Sequence, residues 1–85
     1  MIIKVLGPGC MNCRTLERRT QEAVASLGVP AVVEKVLELD DIVAYGVMRT
    51  PGLVIDEKLV SQGRVPSVDD IKLMIRTASA IADAR

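Results

Sequence analysis

The first thirty-six residues confine the fold more tightly than anything that follows them. Ile2-Ile3-Lys4-Val5-Leu6 is an apolar run of strand length, read as a strand buried on both faces apart from Lys4. From about Met11 to Leu27 the apolar spacing becomes helical, placing Cys13, Leu16, Thr20, Ala23, Val24 and Leu27 on one face. Gly28 is a C-terminal stop for that helix, and Pro30 prevents its continuation. Ala31-Val32-Val33-Glu34-Lys35-Val36 is rich in β-branched residues and reads as a second strand. A strand, a helix and a strand in that compass make a βαβ unit. Its two strands must then be parallel, joined by a right-handed crossover.

The remainder adds a short helix, a hairpin and a last helix. Asp40 or Asp41 is expected to cap the short helix, with apolar contacts from Ile42, Val43 and Tyr45, and Gly46 to end it. Thr50-Pro51 opens a third strand, Gly52-Leu53-Val54-Ile55. The turn Asp56-Glu57-Lys58 then leads into Leu59-Val60-Ser61, an antiparallel partner. Gly63-Arg64-Val65-Pro66 breaks the strand pattern. Ser67 with Asp70 is a capping-box variant for the last helix. Ile71, Met74, Ile75, Ala78 and Ala82 form its apolar face, and the tail beyond Ala80 is expected to fray. The order is β-α-β-α-β-β-α, an α/β class with one mixed four-stranded sheet flanked by three helices. Residues 1–85 are expected to form a single domain, large enough for one core but marginal by surface-to-volume scaling. With Tyr45 the sole aromatic residue, that core is aliphatic.

Both cysteines, Cys10 and Cys13, lie where the first strand gives way to the first helix. The unpaired N–H groups of a first helical turn carry partial positive charge, which stabilises a thiolate there. Two intervening residues on a tightening turn allow the two sulfurs to close a small ring. A lone Cys-x-x-Cys can also be half of a zinc site. With no histidine and no further cysteine, one copy of the chain cannot complete a tetrahedral Cys/His set, which favours thiol chemistry. Eleven basic against eleven acidic residues argue against nucleic acid or an anionic membrane as the main partner. No basic leader or long apolar segment is visible, so a cytoplasmic location is expected, where structural disulfides are rare.

Other features have bland readings. Gly7 and Gly9 shape the turn and lack the later glycine of a dinucleotide fingerprint. Arg14, Arg18 and Arg19 read as a solvated helix face, with Arg18–Glu22 an i,i+4 pair. Met11 and Met48 are either a docking surface beside the sulfurs or, for Met48, part of the core. Tyr45 reads as packing at the core edge.

Cys10-Met11-Asn12-Cys13 at a strand-to-helix junction, the βαβ unit, and Tyr45-Gly46-Val47-Met48-Arg49-Thr50-Pro51 before a hairpin and final helix together resemble the thioredoxin superfamily. The short form, starting at the Cys-bearing strand, is glutaredoxin-like and most similar to the small prokaryotic thioredoxin-like proteins called redox-active disulfide protein 2. The resemblance implies a thioredoxin-like fold, no cofactor, no metal, and a monomer that exchanges electrons between a disulfide substrate, protein or small molecule, and a thiol reductant or reductase. It implies Cys10 as the exposed nucleophile and Cys13 as the buried resolving thiol. By the same resemblance Pro51 is the cis-proline that lies against the disulfide, and Thr50 the residue whose backbone pairs with an extended substrate. Gly63 is a glycine where a side chain would crowd that groove. Two positions depart from the pattern: Gly9 stands where thioredoxins carry an aromatic residue, and Met11-Asn12 where they usually have Gly-Pro. The buried acid of thioredoxins falls at Lys4. If it lay under the active site, its ammonium would favour thiolate without relaying a proton.

Two other readings compete. A soft-metal or metalloid carrier would hold copper(I) or arsenite between the same thiolates. Heavy-metal-associated domains, however, expect a closing strand where this chain ends in a helix, and lack Thr-Pro. A non-catalytic module with a switching disulfide is the third.

Overall fold

The computed structural model describes the backbone of residues 1–83 and side chains through Ala80. The place of Ala82 on the last helix's apolar face, and the expected fraying of the tail, fall outside the described side chains. The elements are β1 (Ile2–Leu6), α1 (Met11–Leu27), β2 (Val32–Val36), α2 (Leu39–Ala44), β3 (Gly52–Ile55), β4 (Lys58–Gln62) and α3 (Val68–Asp83). They build one sheet in the order β2-β1-β3-β4. β1 pairs parallel with β2, Ile2 opposite Val32 through Leu6 opposite Val36, as the βαβ reading requires. β1 and β3 are antiparallel, as are β3 and β4.

Successive side chains of a strand point to opposite faces, and the two central strands use both. Ile3 and Val5 of β1 and Leu53 and Ile55 of β3 face α1 and α3, where they join Leu16, Ala23, Ile71 and Ile75 in one core. Leu6 and Val54 face the other way, toward Ile42 of α2 and Val47, with Tyr45 packed alongside. Ile2 corrects the reading of β1 as buried on both faces. The residue is 45% exposed, at the end of the strand on the face that the six-residue α2 covers.

Local signals set the boundaries. Gly28 takes a left-handed conformation (φ 65°, ψ 24°) and its N–H donates to Val24 O at 3.0 Å, closing α1. The β3–β4 turn places both Asp56 (φ 47°) and Glu57 (φ 71°) in the left-handed region, unusual for residues other than glycine or asparagine. Asp56 is held there from outside the hairpin: its N–H donates to Ile2 O, and its Oδ1 accepts from Ile2 N, both at 2.9 Å. At the start of α3 the Ser67 Oγ accepts the Asp70 N–H at 3.1 Å, the first half of a capping box. The Asp70 carboxylate turns instead to Arg64 at 3.7 Å.

Four sequence expectations are corrected. Neither Asp40 nor Asp41 caps α2: Glu38 holds the N-cap position without a side-chain bond, and both aspartates stand in the first turn, where they favour the helix dipole. Val43 is 60% exposed and makes no core contribution. Arg19 is not a solvated residue, since its guanidinium donates to Val65 O at 3.3 Å and Pro66 O at 3.2 Å, tying α1 to the loop before α3. Arg18 and Glu22 form no ion pair; Glu17 pairs instead with Lys35 of β2 at 3.3 Å. Among the described residues no helix is long and apolar enough to cross a membrane.

Candidate active site

The site starts at the residue after β1. Gly7 extends the parallel ladder by donating its N–H to Val36 O at 2.9 Å. A β-carbon built on Gly7 would overlap the Cys13 Sγ and lie 3.8 Å from the Thr50 β-carbon. The missing side chain is therefore the space the second sulfur fills, and Gly7 is the floor between Cys13 and the Thr50 loop. Gly9 (φ 90°) turns the chain into α1, and Cys10, extended at φ −67° and ψ 169°, becomes its N-cap.

As N-cap, Cys10 accepts hydrogen bonds that a serine or aspartate would otherwise take. Its Sγ accepts from Cys13 N at 3.3 Å, and its carbonyl accepts from Arg14 N at 3.0 Å. The first turn of α1 carries no carboxylate to compete with a thiolate for these donors. Both cysteines are free thiols, Cys10 exposed and Cys13 only 5% exposed. Their acidities diverge. The Cys13 side chain and backbone N–H, hydrogen-bonded to the Cys10 sulfur, lower the Cys10 pKa from its ordinary value. Burial, and then the same bond to Cys10, raise that of Cys13. The outer sulfur is the better anion, while the inner one keeps its proton and offers it to Cys10 as a hydrogen bond.

The Thr50–Pro51 peptide is cis, with Pro51 buried and Thr50 exposed beside Gly7. Gly63 stands one step further out. Its N–H donates to both Arg49 O and Pro51 O at 3.0 Å, its φ is 71°, and an added β-carbon would come within 3.0 Å of the Arg49 β-carbon. The immediate obstacle to a side chain at 63 is thus Arg49 and not an open groove. Cys10, Cys13 and Thr50 are brought together; Gly63 fastens the loop that carries Pro51. Met48 and Met11 are 90% and 82% exposed, which removes the core reading of Met48.

Lys4 does not lie under the sulfurs. It points to the α2 face, where its Nζ donates to the Tyr45 hydroxyl and to Glu57 Oε1 at 3.2 Å, and sits 5.0 Å from the Tyr45 ring centre. Tyr45 first and Glu57 second raise the Lys4 pKa, while Tyr45 and Lys4 lower that of Glu57. Tyr45 is therefore more than packing: its hydroxyl accepts from the lysine of an ion pair on the sheet face away from the cysteines. Strand parity carries this information, since Val5, the neighbour of Lys4, is the residue that lines the cavity beside Cys13. The charged groups of that cavity are Arg14, Glu17 and Lys35. The sequence reading gives Glu17 and Lys35 no part in this region, and gives Gly7 only that of shaping the turn. Glu17 follows Cys13 by four residues and so shares its helix face, a signal available in the sequence; the approach of Lys35 depends on the crossover to β2.

Comparison with known proteins agrees with this geometry. Residues 1–76 match the family model described as Thioredoxin domain. A protein named thioredoxin from Methanothermobacter thermautotrophicus is 43% identical over 75 residues, which span 88% of this chain and 97% of the relative. Another, from Methanocaldococcus jannaschii, is 35% identical over 72 residues, 85% of this chain and 83% of the relative. These matches name no narrower branch such as redox-active disulfide protein 2. With the four-stranded mixed sheet, three helices and the cysteine pair at the head of α1, they show that the chain belongs to the thioredoxin superfamily and, in general class, to its thiol–disulfide oxidoreductases.

Proposed function

We propose that the chain reduces or forms disulfides through a mixed-disulfide intermediate, with Cys10 as nucleophile and Cys13 as resolving thiol. The observation that carries this reading is the divided environment of the pair. Cys10 is exposed, with its pKa lowered by bonds from Cys13, while Cys13 is buried, with its pKa raised. The Cys10 thiolate attacks one sulfur of a substrate disulfide and expels the other as a thiolate. Cys13 then attacks Cys10, the Cys10–Cys13 bond forms, and the second substrate sulfur leaves. Two electrons pass to the substrate and the dithiol becomes a disulfide. No separate base is needed for the first step, because the outer sulfur is already the more acidic.

In this reading Thr50 offers its backbone to an extended substrate, Pro51 packs against the reacting sulfurs, and Gly63 keeps their loop in place. Exposed Met11, which follows Cys10 directly, and Met48 of the Thr50 loop suit substrates of varied shape. The partners are a protein or small-molecule disulfide and a thiol reductant or reductase, met by a monomer in the cytoplasm. The test is insulin reduction with a supplied dithiol. Cys10→Ser should abolish turnover, and Cys13→Ser should accumulate mixed disulfides visible by mass. Alkylation of Cys10 against pH should give an apparent pKa below that of free cysteine, about 8.5. Undiminished turnover in Cys10→Ser would overturn the assignment.

A further inference from the structure

The second half of the cycle needs something the first does not. Cys10 meets its substrate as the more acidic sulfur, but Cys13 must give up a proton from a buried position where burial holds it on. No histidine exists to take it. Lys4 is on the far face of the sheet, engaged with Tyr45 and Glu57. Cys13 does, however, line a cavity of about 170 Å³ beneath the Gly7–Gly9 turn. That space exceeds many times the room one water requires. Among the described residues one carboxylate lines it, that of Glu17.

Glu17 is suited to this position by sequence and by contact. It lies one helical turn beyond Cys13, so both side chains leave α1 on the same side. Its side chain is only 24% exposed, and Lys35 holds it at 3.3 Å from across β2. Lys35 pairs with Val5 in the parallel ladder and so projects on the same sheet face. The charged and titratable groups around Cys13 are then Cys10, Arg14 and Glu17 from the α1 end and Lys35 from β2; the Gly7–Gly9 turn and Thr50 contribute none.

We infer that Glu17 accepts the Cys13 proton through water in this cavity as Cys13 attacks the mixed disulfide, and that Lys35, paired with the Glu17 carboxylate, is a positioning residue that holds it at the cavity. This rests on the mixed-disulfide reading above. The step balances: the Cys13 S–H bond breaks and its proton passes by way of water to the Glu17 carboxylate. The Cys13 electron pair forms the bond to Cys10 Sγ, the bond from Cys10 to the substrate sulfur breaks, and the departing thiolate takes up a proton from solvent. Glu17 returns its proton to solvent through the same cavity. In the reverse direction the protonated Glu17 supplies the proton to Cys13 as it leaves.

The experiment follows the reduced full chain mixed with 5,5′-dithiobis(2-nitrobenzoate) in a stopped-flow instrument. The first release of coloured thiolate reports attack by Cys10 and scales with reagent. The second reports resolution by Cys13 and is independent of it. Glu17→Gln should slow the second phase about tenfold or more at pH 7 and leave the first within about twofold; general-base assistance is worth about 10²–10⁴ when direct and less through water. Between pH 6 and 8 the wild-type second phase should be shallow in pH. That of Glu17→Gln should rise about tenfold per unit, because only solvent base then removes the proton. Glu17→Asp should recover part of the rate, and Lys35→Met should lower the second phase less than Glu17→Gln does. An unchanged second phase and pH slope in Glu17→Gln, or an equal fall of both phases, overturns the assignment. Absence of a second release in wild type would instead remove the mixed-disulfide reading itself.

Discussion

The two faces of the sheet are built to different standards. One is covered by α1 and α3, helices of 17 and 16 residues, over a core of eight buried side chains. The other is covered by the six-residue α2 over a core of four, with a Lys4–Tyr45–Glu57 cluster at its margin. The cysteines are mounted on the well-covered face, through α1. A resolving thiol has to be held out of water in a fixed place, and close packing against long helices supplies that. The thin face keeps a smaller core dry and has room at its margin for a charged cluster.

The same truncation on the two faces should separate them most. Leu53→Ala, which empties a site between α1, α3 and the sheet, should destabilise by about 3–5 kcal/mol, whereas Leu6→Ala under α2 should cost about 2–3 kcal/mol because that side can collapse or admit solvent. Urea midpoints with unchanged slopes measure both, and equal losses would erase the distinction. Gly7→Ala should come next. Its added methyl group meets the Cys13 sulfur, an overpacking cost of about 1–3 kcal/mol. Resolution by Cys13 should fall further than attack by Cys10, which two-phase thiol kinetics would register.

The smallest effects belong to the thin face. Tyr45→Phe removes the hydroxyl that accepts from Lys4 and leaves the direct Lys4–Glu57 pair, so it should cost about 1 kcal/mol or less, with no change in either thiol phase. Glu57 has its folded pKa lowered, so its contribution is present above the unfolded carboxylate value and lost as pH falls through the folded one. Lys4 has its pKa raised, so its part is present below the unfolded lysine value and lost as pH rises through the folded one. Urea midpoints of Tyr45→Phe should therefore change less than wild type at both ends of the pH range. A matching pH dependence would show that the cluster contributes nothing to stability.

Much of this architecture is legible in the sequence because each element announces its own limits. Helical spacing from Met11 and the glycine at 28 give the extent of α1; β-branched residues and Thr50-Pro51 give the strands. Neighbour relations across the sheet are harder. Lys4 is one residue from Val5, yet the two belong to opposite cores, so a position aligned along the chain says little about which cavity a side chain enters. Gly7 was readable as a turn residue, but its φ is not positive; what requires glycine is the sulfur of a residue six positions on. The cap of α2 lies two or three residues before the expected Asp40 or Asp41, because aspartates serve a first turn as well as they would serve a cap, and propensity alone does not distinguish the two. Arg19 gave no sign of its carbonyl partners, which arrive from the loop before α3.

The position of the single aromatic ring has a practical consequence. Tyr45 is the chain's only ultraviolet fluorophore of note, and it stands on the opposite side of the sheet from both sulfurs, bonded to a lysine. Its emission should follow unfolding and the protonation of its neighbours while remaining blind to whether the thiols are joined. A light-based readout of the redox couple would need an indole introduced near the reacting end, and Met48, standing clear of the surface on the Thr50 loop, is the natural place to put one.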